Sequence, residues 1–359
     1  MTAQLIDYCV IGAGPAALQL GYELKKAGFD FVLLEANNTI AQHLGADNTA
    51  PFSLEKHKTV AADHPKHHDR FSLLCDAPHL NFEATAQHRQ GNNRAWASYL
   101  RAFAAFYQLP IRYQSEVTHI AQREGRFLVR DRSHRVILAK YVVIATTAAW
   151  RNGVFAPNCL PDSSRHHHLP ELTHEWESIN IPNLYFVANA APADHNTGSA
   201  YRHSVRALAR ILACKNHGWD WPRQGVGRDA ATLSDMIAMR LANSAALWQE
   251  ASVLCDYIDL ANGGTYMEAV PCRRIHQTRL GKSTDFLTIH FEIGPGNPFM
   301  GTPALVATCH AAGPVAVIRY QHNGRLLESR RLPSDPEALQ TTVREFLNRH
   351  LKTLESIAM

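Results

Sequence analysis

The sequence predicts an α/β protein with two domains. The first is a Rossmann-like domain whose central parallel sheet carries a β-meander, and the second is a smaller α+β domain. Within residues 5–35, a strand, a Gly-rich turn, a helix and another strand follow one another, which is the order of a βαβ unit. After residue 280, alternating apolar and polar runs are separated by Gly and Pro, as in antiparallel sheets. We place the domains at 1–223 and 228–359.

The strongest signal lies in the first forty residues. Leu5–Ile11 is apolar and β-branched, as in a buried parallel strand. A helical pattern follows and ends at Gly28, and Phe31–Leu34 predicts a second strand that runs into Glu35. The turn between the first strand and the helix has the form G-x-G-x-x-A and reads Gly12-Ala13-Gly14-Pro15-Ala16-Ala17. The whole pattern is a dinucleotide-binding fingerprint.

Each part of the fingerprint has a physical role. Gly12 permits the tight turn, and Gly14 lets the backbone approach a pyrophosphate whose charge the helix N-terminus stabilises. Glu35 stands where an acid hydrogen-bonds a ribose, and its charge disfavours the 2′-phosphate of NADP. The alternative is a tight turn in a domain that binds no nucleotide. The wording Gly12-Ala13-Gly14-Pro15-Ala16-Ala17-Leu18 resembles the FAD form of the fingerprint. The predicted cofactor is therefore FAD, with Gly12, Gly14, Pro15, Ala16, Glu35 and Ala36 as the expected contacts.

Composition excludes several classes of protein. The chain has 359 residues, 46% hydrophobic and 19% charged, with a net charge of +4 that is not gathered into a basic run. We therefore expect no nucleic-acid partner. No apolar run reaches the roughly 18 residues of a membrane span. Seven scattered cysteines without a C-x-x-C pair and an N-terminus without a signal pattern indicate a soluble, cytoplasmic protein.

The rest of the chain divides into predicted helices and strands. We expect helices at 96–107, 204–215, from 233 to 248 and at 336–352. We expect strands at 111–122, 125–131, 135–147, 184–188, 286–293, 305–311 and 315–321. Residues 224–227, which contain two glycines, are interpreted as a hinge.

Several stretches together resemble a known family. They are 7–35, 142–150, 171–190, 203–222, 266–275, 285–295 and 316–335. In these stretches the chain resembles the flavoprotein oxidoreductases with two dinucleotide-binding folds, which include the flavin-containing monooxygenases. It is similar in particular to the endoplasmic-reticulum flavoprotein associated with degradation and its bacterial relatives. The resemblance implies bound FAD, with Val117, Ala145, Thr146 and Asn189 as further cofactor contacts.

The chain also departs from this family. Relatives carry an NAD(P)H-binding domain between the strands that end here at Thr147 and begin at Leu184, yet only 36 residues separate the two. A βαβ unit alone needs about 30 residues and a domain about 50 or more. We therefore predict that this domain is missing near 148–183. The family's Ala-Thr-Gly is Ala145-Thr146-Thr147, and Asn189 replaces a Gly.

A flavin without its own NAD(P)H site needs another source of electrons. A separate flavin reductase or the substrate itself is expected to reduce it, unless the chemistry is redox-neutral. The predicted function is an FAD-dependent oxidoreductase of monooxygenase, oxidase or desaturase type, with a role in biosynthesis. Its expected substrate is a small or carrier-bound metabolite. The alternative is a degenerate relative that acts as a non-catalytic binding or scaffold protein.

The resemblance implies that the segment after the strand at 184–188 lines the flavin pocket, so we take the candidate catalytic residues from it. A cation there would stabilise charge on a reduced flavin, for which His203 and then Arg202 are the candidates. Asp194 and His195 are candidate proton-transfer groups. For all four, the alternative is ordinary surface polarity.

The His-rich stretches 64–68 and 166–168 lack ligand spacing, so no metal is expected. The second domain has three open roles: a cap on the site, a partner surface or a homodimer contact.

Overall fold

The computed structural model describes residues 5–42, 72–82, 93–146, 153–163, 170–187, 201–261, 264–277, 279–292 and 314–357. These residues form two compact units, and the chain passes from one to the other between Ala209 and Arg210.

The first unit contains a seven-stranded mixed sheet. Its strands are β1 (Leu5–Ile11), β2 (Phe31–Leu34), β3 (Ile111–Arg112), β4 (Val117–Arg123), β5 (Arg126–Asp131), β6 (Val136–Ile144) and β7 (Leu184–Phe186). The order is β3-β2-β1-β6-β5-β4, with β7 beside the second half of β6. Strands β1, β2, β3, β6 and β7 run parallel, whereas β4, β5 and β6 form an antiparallel meander. The predicted Rossmann-like architecture is therefore confirmed.

The described residues of this part of the chain form three helices, which are α1 (Pro15–Lys26), α2 (Asn93–Phe106) and α3 (Tyr201–His217). Helix α1 lies close to β2 because Gly21 has no side chain. A Cβ there would stand 3.1 Å from Leu33 Cδ1 and 3.3 Å from Phe31 Cε2. Tight packing of this kind fixes the helix on the sheet. The N-terminus of α1 consequently lies at the carboxyl end of β1, which is where ligands bind in parallel sheets.

The connection between β6 and β7 is irregular in its described part. It contains a 3₁₀ turn at Pro157–Cys159 and isolated bridges that join Ile120 to Phe155 and Leu172 to Ser178. The described residues of this connection contain no α-helix. That the NAD(P)H-binding domain is missing here stays a prediction.

The second unit contains a six-stranded antiparallel sheet. Its strands are β8 (Gln224–Gly225), β9 (Leu254–Asp259), β10 (Thr265–Pro271), β11 (Asp285–Glu292), β12 (Val315–His322) and β13 (Arg325–Arg331), in the order β13-β12-β11-β9-β10-β8. Its helices are α4 (Ala230–Asn243), α5 (Ala245–Gln249), α6 (Cys272–Gln277) and α7 (Pro336–Ile357). Side chains of α4 and α7 share an apolar core with one face of the sheet, including Leu233, Ile237, Leu287, Ile289, Ile318, Val343 and Phe346. The predicted α+β class of this region is confirmed.

The structure corrects the sequence prediction in four places. The helix predicted from 233 to 248 is divided at Ser244, which ends α4 and caps the N-terminus of α5. The strand predicted at 111–122 is divided into β3 and β4, because Gln114 takes a positive φ of 51° and turns the chain. Gln224–Gly225, interpreted as part of a hinge, pairs with Thr265 and Tyr266 as an edge strand. Strands β9, β10 and β13 were missed. The strand predicted at 305–311 lies outside the described residues.

Within the described ranges, no helix is both long enough and apolar enough to cross a membrane.

Candidate functional site

The Gly-rich turn brings the ends of β1 and β6 together. Gly12 has a φ of +106°, a conformation that side-chain-bearing residues rarely adopt. A Cβ at this position would lie 3.1 Å from the Ala145 carbonyl oxygen and 3.3 Å from Thr146 Cβ. Gly12 is therefore required by both conformation and space. Ala145 and Thr146, two predicted cofactor contacts, are placed directly beside it.

The helix that follows begins at an open position. Gly14 is the N-cap of α1, and Pro15 is the first helical residue. Apart from its neighbours in the chain, the described residues place no atom within 4 Å of a Cβ built on Gly14. The first N–H groups of a helix have no partner within it, and Gly14 has no side chain with which to cap them. Ala16 is buried, at 8% exposure. Open space in front of a helix N-terminus fits the phosphate groups of a dinucleotide.

Glu35 is held against this turn by its own side chain. It is 8% exposed, and its Oε2 accepts a hydrogen bond of 3.2 Å from the Ala13 N–H. Its Oε1 accepts bonds from both the backbone and the side-chain amide of Asn37, at 2.9 and 2.8 Å. The carboxylate is thus oriented at the edge of the Gly-rich turn. Ala36, between the two, is exposed. The sequence analysis missed Asn37, for which a polar amide two residues after the acid was the available signal.

The loop between β3 and β4 packs beside Glu35. The Ser115 N–H donates to the Glu35 carbonyl at 2.8 Å, and the Gln114 N–H donates to the Asn37 carbonyl at 2.9 Å. Arg135 fixes the loop from the meander, because Nη2 donates to the Gln114 carbonyl and to Ser115 Oγ. Val117, a predicted contact, starts β4 two residues later. Val117 therefore directly follows a loop whose backbone is hydrogen-bonded to Glu35 and Asn37.

A buried polar side chain lies on the next turn of α1. Gln19 is fully buried, and its amide makes two hydrogen bonds to the backbone of Leu74. Nε2 donates to the Leu74 carbonyl at 3.0 Å, and Oε1 accepts from the Leu74 N–H at 2.7 Å. The sequence analysis missed this residue, although a glutamine inside the apolar face of a helix was the signal.

The predicted catalytic residues are only partly described. Arg202 lies in the first turn of α3, is 5% exposed, and donates through Nη1 to the Ser72 carbonyl. His203 follows it and is half-buried. Asp194, His195 and the predicted cofactor contact Asn189 lie outside the described residues. The roles of all five stay predictions.

The cysteine in the strand before the Gly-rich turn does not offer a nucleophile. Cys9 is in the middle of β1, and burial raises the pKa of its thiol to about 12. The thiolate is the reactive form, so this side chain is a packing residue. Both His-rich stretches lie outside the described residues. Among the residues that the structure describes, no group of three or more His, Cys, Asp or Glu side chains could hold a metal ion.

Comparison with known proteins points to the same region. Residues 9–148 match the family model described as pyridine nucleotide-disulphide oxidoreductase. The chain is 30% identical over 154 residues to the mouse FAD-dependent oxidoreductase domain-containing protein 2, which is 40% of this chain and 23% of the mouse protein. The zebrafish protein of that name is 30% identical over 118 residues, 32% of this chain and 17% of that protein. The chain therefore spans less than a quarter of the length of the curated relatives it matches.

Solved structures also resemble parts of this chain. A flavin-containing monooxygenase from Stenotrophomonas maltophilia is 21% identical, over 40% of each chain, with a TM-score of 0.31. The bacillithiol disulfide reductase from Staphylococcus aureus is 14% identical over 59% of this chain and 99% of its own, with a TM-score of 0.43. At these identities and TM-scores, neither structure indicates what this chain acts on. The family match runs from β1 to just past β6, and so covers the Gly-rich turn, Glu35 and the meander.

Proposed function

We propose that this chain is an FAD-dependent oxidoreductase whose first unit holds the cofactor at the Gly-rich turn. The observation that carries the proposal is the combination of open space at Gly14 with the fixed carboxylate of Glu35. A turn without a nucleotide role needs neither, because among the described residues a Cβ at Gly14 meets no atom within 4 Å. The sequence match to a family of nucleotide-dependent oxidoreductases over 9–148 supports the same conclusion.

Each end of the cofactor has a candidate partner. The backbone N–H groups at the start of α1 would hold the pyrophosphate, since the helix dipole favours negative charge there. Glu35 would accept hydrogen bonds from ribose hydroxyls, because a carboxylate oxygen accepts more than one bond. A 2′-phosphate in the same place would be repelled by this carboxylate. The residues present therefore favour FAD over NADP.

The cofactor, when bound, would supply the ability to take up and give up two electrons. The chain would supply position and charge. Arg202 is a buried cation, and a buried cation stabilises negative charge more strongly than an exposed one. His203 and, from the sequence, His195 and Asp194 are proposed to hold or move protons. Asn189 is proposed as a backbone contact.

A partner or the substrate is proposed as the source of electrons. A second G-x-G-x-x-A sequence, at residues 225–230, begins in the antiparallel edge strand β8 and runs into α4. The Asp229 side chain already caps the N-terminus of that helix, so this turn lacks the setting of a dinucleotide site. The described residues between β6 and β7 form bridges and one 3₁₀ turn. We therefore propose reduction by a separate flavin reductase or by a small or carrier-bound metabolite. Which of the monooxygenase, oxidase and desaturase reactions follows depends on that substrate.

The test is a titration of FAD and NADPH with the purified full chain, followed by quenching of flavin fluorescence and by calorimetry. Saturable FAD binding with much weaker NADPH binding is the expected result, because Glu35 selects against the 2′-phosphate. Absence of FAD binding by folded protein, or tighter binding of NADPH, would overturn the proposal.

A further inference from the structure

Residues 72–76 run alongside α1. The Asp76 N–H donates to the Tyr22 hydroxyl at 3.1 Å, one turn beyond the point at which Gln19 holds Leu74. Because Leu74 meets Gln19 and Asp76 meets Tyr22, this segment has the same direction as the helix. Followed backwards, the segment therefore leads from Leu74 towards the first turn of α1, which is the turn that begins at Gly14.

Arg202 binds the segment at its first residue. Its guanidinium donates to the Ser72 carbonyl and is almost fully buried. Ser72 is also fixed from the other side, because its hydroxyl accepts a bond of 2.5 Å from the Phe82 N–H. A buried charge acts more strongly on a neighbouring charge than an exposed one does. We therefore expect this cation to stabilise an anionic ligand at the start of α1.

Two further side chains join α3 to α1. Arg206, one turn after Arg202, contacts Glu23 Oε1 through Nε at 2.7 Å, with the Glu23 side chain 15% exposed. The same oxygen accepts a bond of 3.0 Å from Gln19 Nε2. Gln19 thus touches both the segment and the ion pair. The contacts form a closed ring from α1 to residues 72–76, to α3 and back to α1.

We propose that Gln19 and Arg202 are positioning residues of the cofactor site. They fix residues 72–76 along α1, so that Ser72 and the Arg202 cation stand towards the anion-binding end of the helix. This inference rests on the proposed function, because it assigns the ring to the binding of FAD rather than to folding alone. Gln19 acts through the backbone of Leu74, and Arg202 acts through its charge.

The first experiment compares FAD affinity in Gln19→Met and in the wild-type chain by quenching of flavin fluorescence. Methionine has nearly the same volume and helix propensity but makes neither bond to Leu74. We expect affinity to fall about tenfold. The matched control is Gln122→Met, which loses one bond of 3.5 Å to the Pro182 carbonyl in the same unit and should bind FAD as the wild type does. Unchanged affinity in folded Gln19→Met would overturn the inference.

The second experiment measures the salt dependence of FAD affinity in Arg202→Lys and Arg202→Met. Lysine keeps the cation, whereas methionine removes it. We expect a shallower salt dependence only for Arg202→Met, since screening acts on the charge and not on packing. Equal salt slopes in all three proteins would overturn the role of Arg202. These variants also decide the matter should Gln19→Met fail to fold. If the wild-type chain itself binds no FAD, the proposed function has failed and this inference falls with it.

Discussion

The two units use buried polar side chains in opposite ways. In the first unit they hold loop backbone: Glu35 binds the Ala13 N–H, Gln19 binds Leu74, and Arg202 binds the Ser72 carbonyl. In the second unit they bind mainly one another. Asp256 is fully buried and accepts bonds from Arg240 and from the Tyr266 hydroxyl.

The second unit has another such cluster on the opposite face of its sheet. Glu292 Oε1 accepts from Arg319 Nη2 and lies 3.2 Å from His290 Nε2. A buried charge that meets its partner inside the fold contributes to a specific fold and leaves little for a ligand. A side chain that orients a loop at the carboxyl edge of a parallel sheet prepares a binding site. The difference supports the proposal of a cofactor site in the first unit, and the predictions below test it.

The largest expected effect is on the stability of the second unit. Asp256→Ala leaves Arg240, whose side chain is 21% exposed, without its main partner, and we expect the free energy of unfolding to fall by about 3 kcal/mol. Urea unfolding measures this change. The control is Asp235→Ala in the same region, with a side chain that is 63% exposed, which should change stability by less than about 0.5 kcal/mol. Equal effects of the two substitutions would contradict the role given to Asp256.

The next effect is on binding alone. Gly14→Asp places a carboxylate in open space at the start of α1, so the protein should fold normally while FAD affinity drops by more than about 100-fold. Quenching of flavin fluorescence measures the FAD affinity, and the far-UV circular dichroism spectrum checks that the variant is folded. The matched control is Gly225→Asp, where a Cβ also meets no atom of the described part of the chain within 4 Å, and affinity should be unchanged. Full FAD affinity in Gly14→Asp would remove the site from this turn.

Glu35→Gln tests the carboxylate with little change of shape. Hydrogen bonds to a charged group are stronger than those to a neutral one, so we expect FAD affinity to fall about tenfold. The preference against NADPH should weaken at the same time, because the repelling charge is gone. Calorimetric titration with both nucleotides measures the change. An unaltered FAD-to-NADPH ratio would show that Glu35 does not choose the cofactor.

The smallest effect is a pH dependence in the second unit. Burial holds the pKa of His290 below its ordinary value of 6.5, against the hydrogen bond to Glu292. The folded chain therefore keeps this imidazole neutral at pH values where the unfolded chain protonates it, and stability falls as the pH drops below about 6.5. We expect His290→Gln to reduce this dependence by up to about 1 kcal/mol in all between pH 6.5 and 5.5. Urea unfolding at several pH values measures the slope, and identical slopes would contradict the assignment.

The local pattern of the sequence was enough to predict the parallel part of the fold. Strands β1 and β2 lie at the predicted residues, because an apolar β-branched run between turn residues has few other structures open to it. The Gly-rich turn was equally predictable, since Gly12 needs a positive φ. Helix α1 was predictable for the same local reasons.

Contacts between distant residues were not predictable in the same way. Gln19 and Leu74 are 55 residues apart, and Arg202 and Ser72 are 130 apart, so no periodicity connects them. Strands β9 and β10 were missed because Asp256 and Glu268 interrupt their apolar pattern. These acids find partners only across the fold, where Arg240 contacts both of them. The positions of these strands and of the polar contacts therefore depend on pairing between distant residues, which the local sequence pattern does not show.

The most direct test of the proposed function is the visible spectrum of the purified full chain, recorded before and after anaerobic addition of NADPH. The account predicts a yellow protein with a flavin absorption band that NADPH leaves oxidised, because FAD is bound at the Gly-rich turn and its electrons come from elsewhere. Colourless protein that also takes up no added FAD would contradict the proposed cofactor. Rapid bleaching of the band by NADPH alone would contradict the proposed source of electrons.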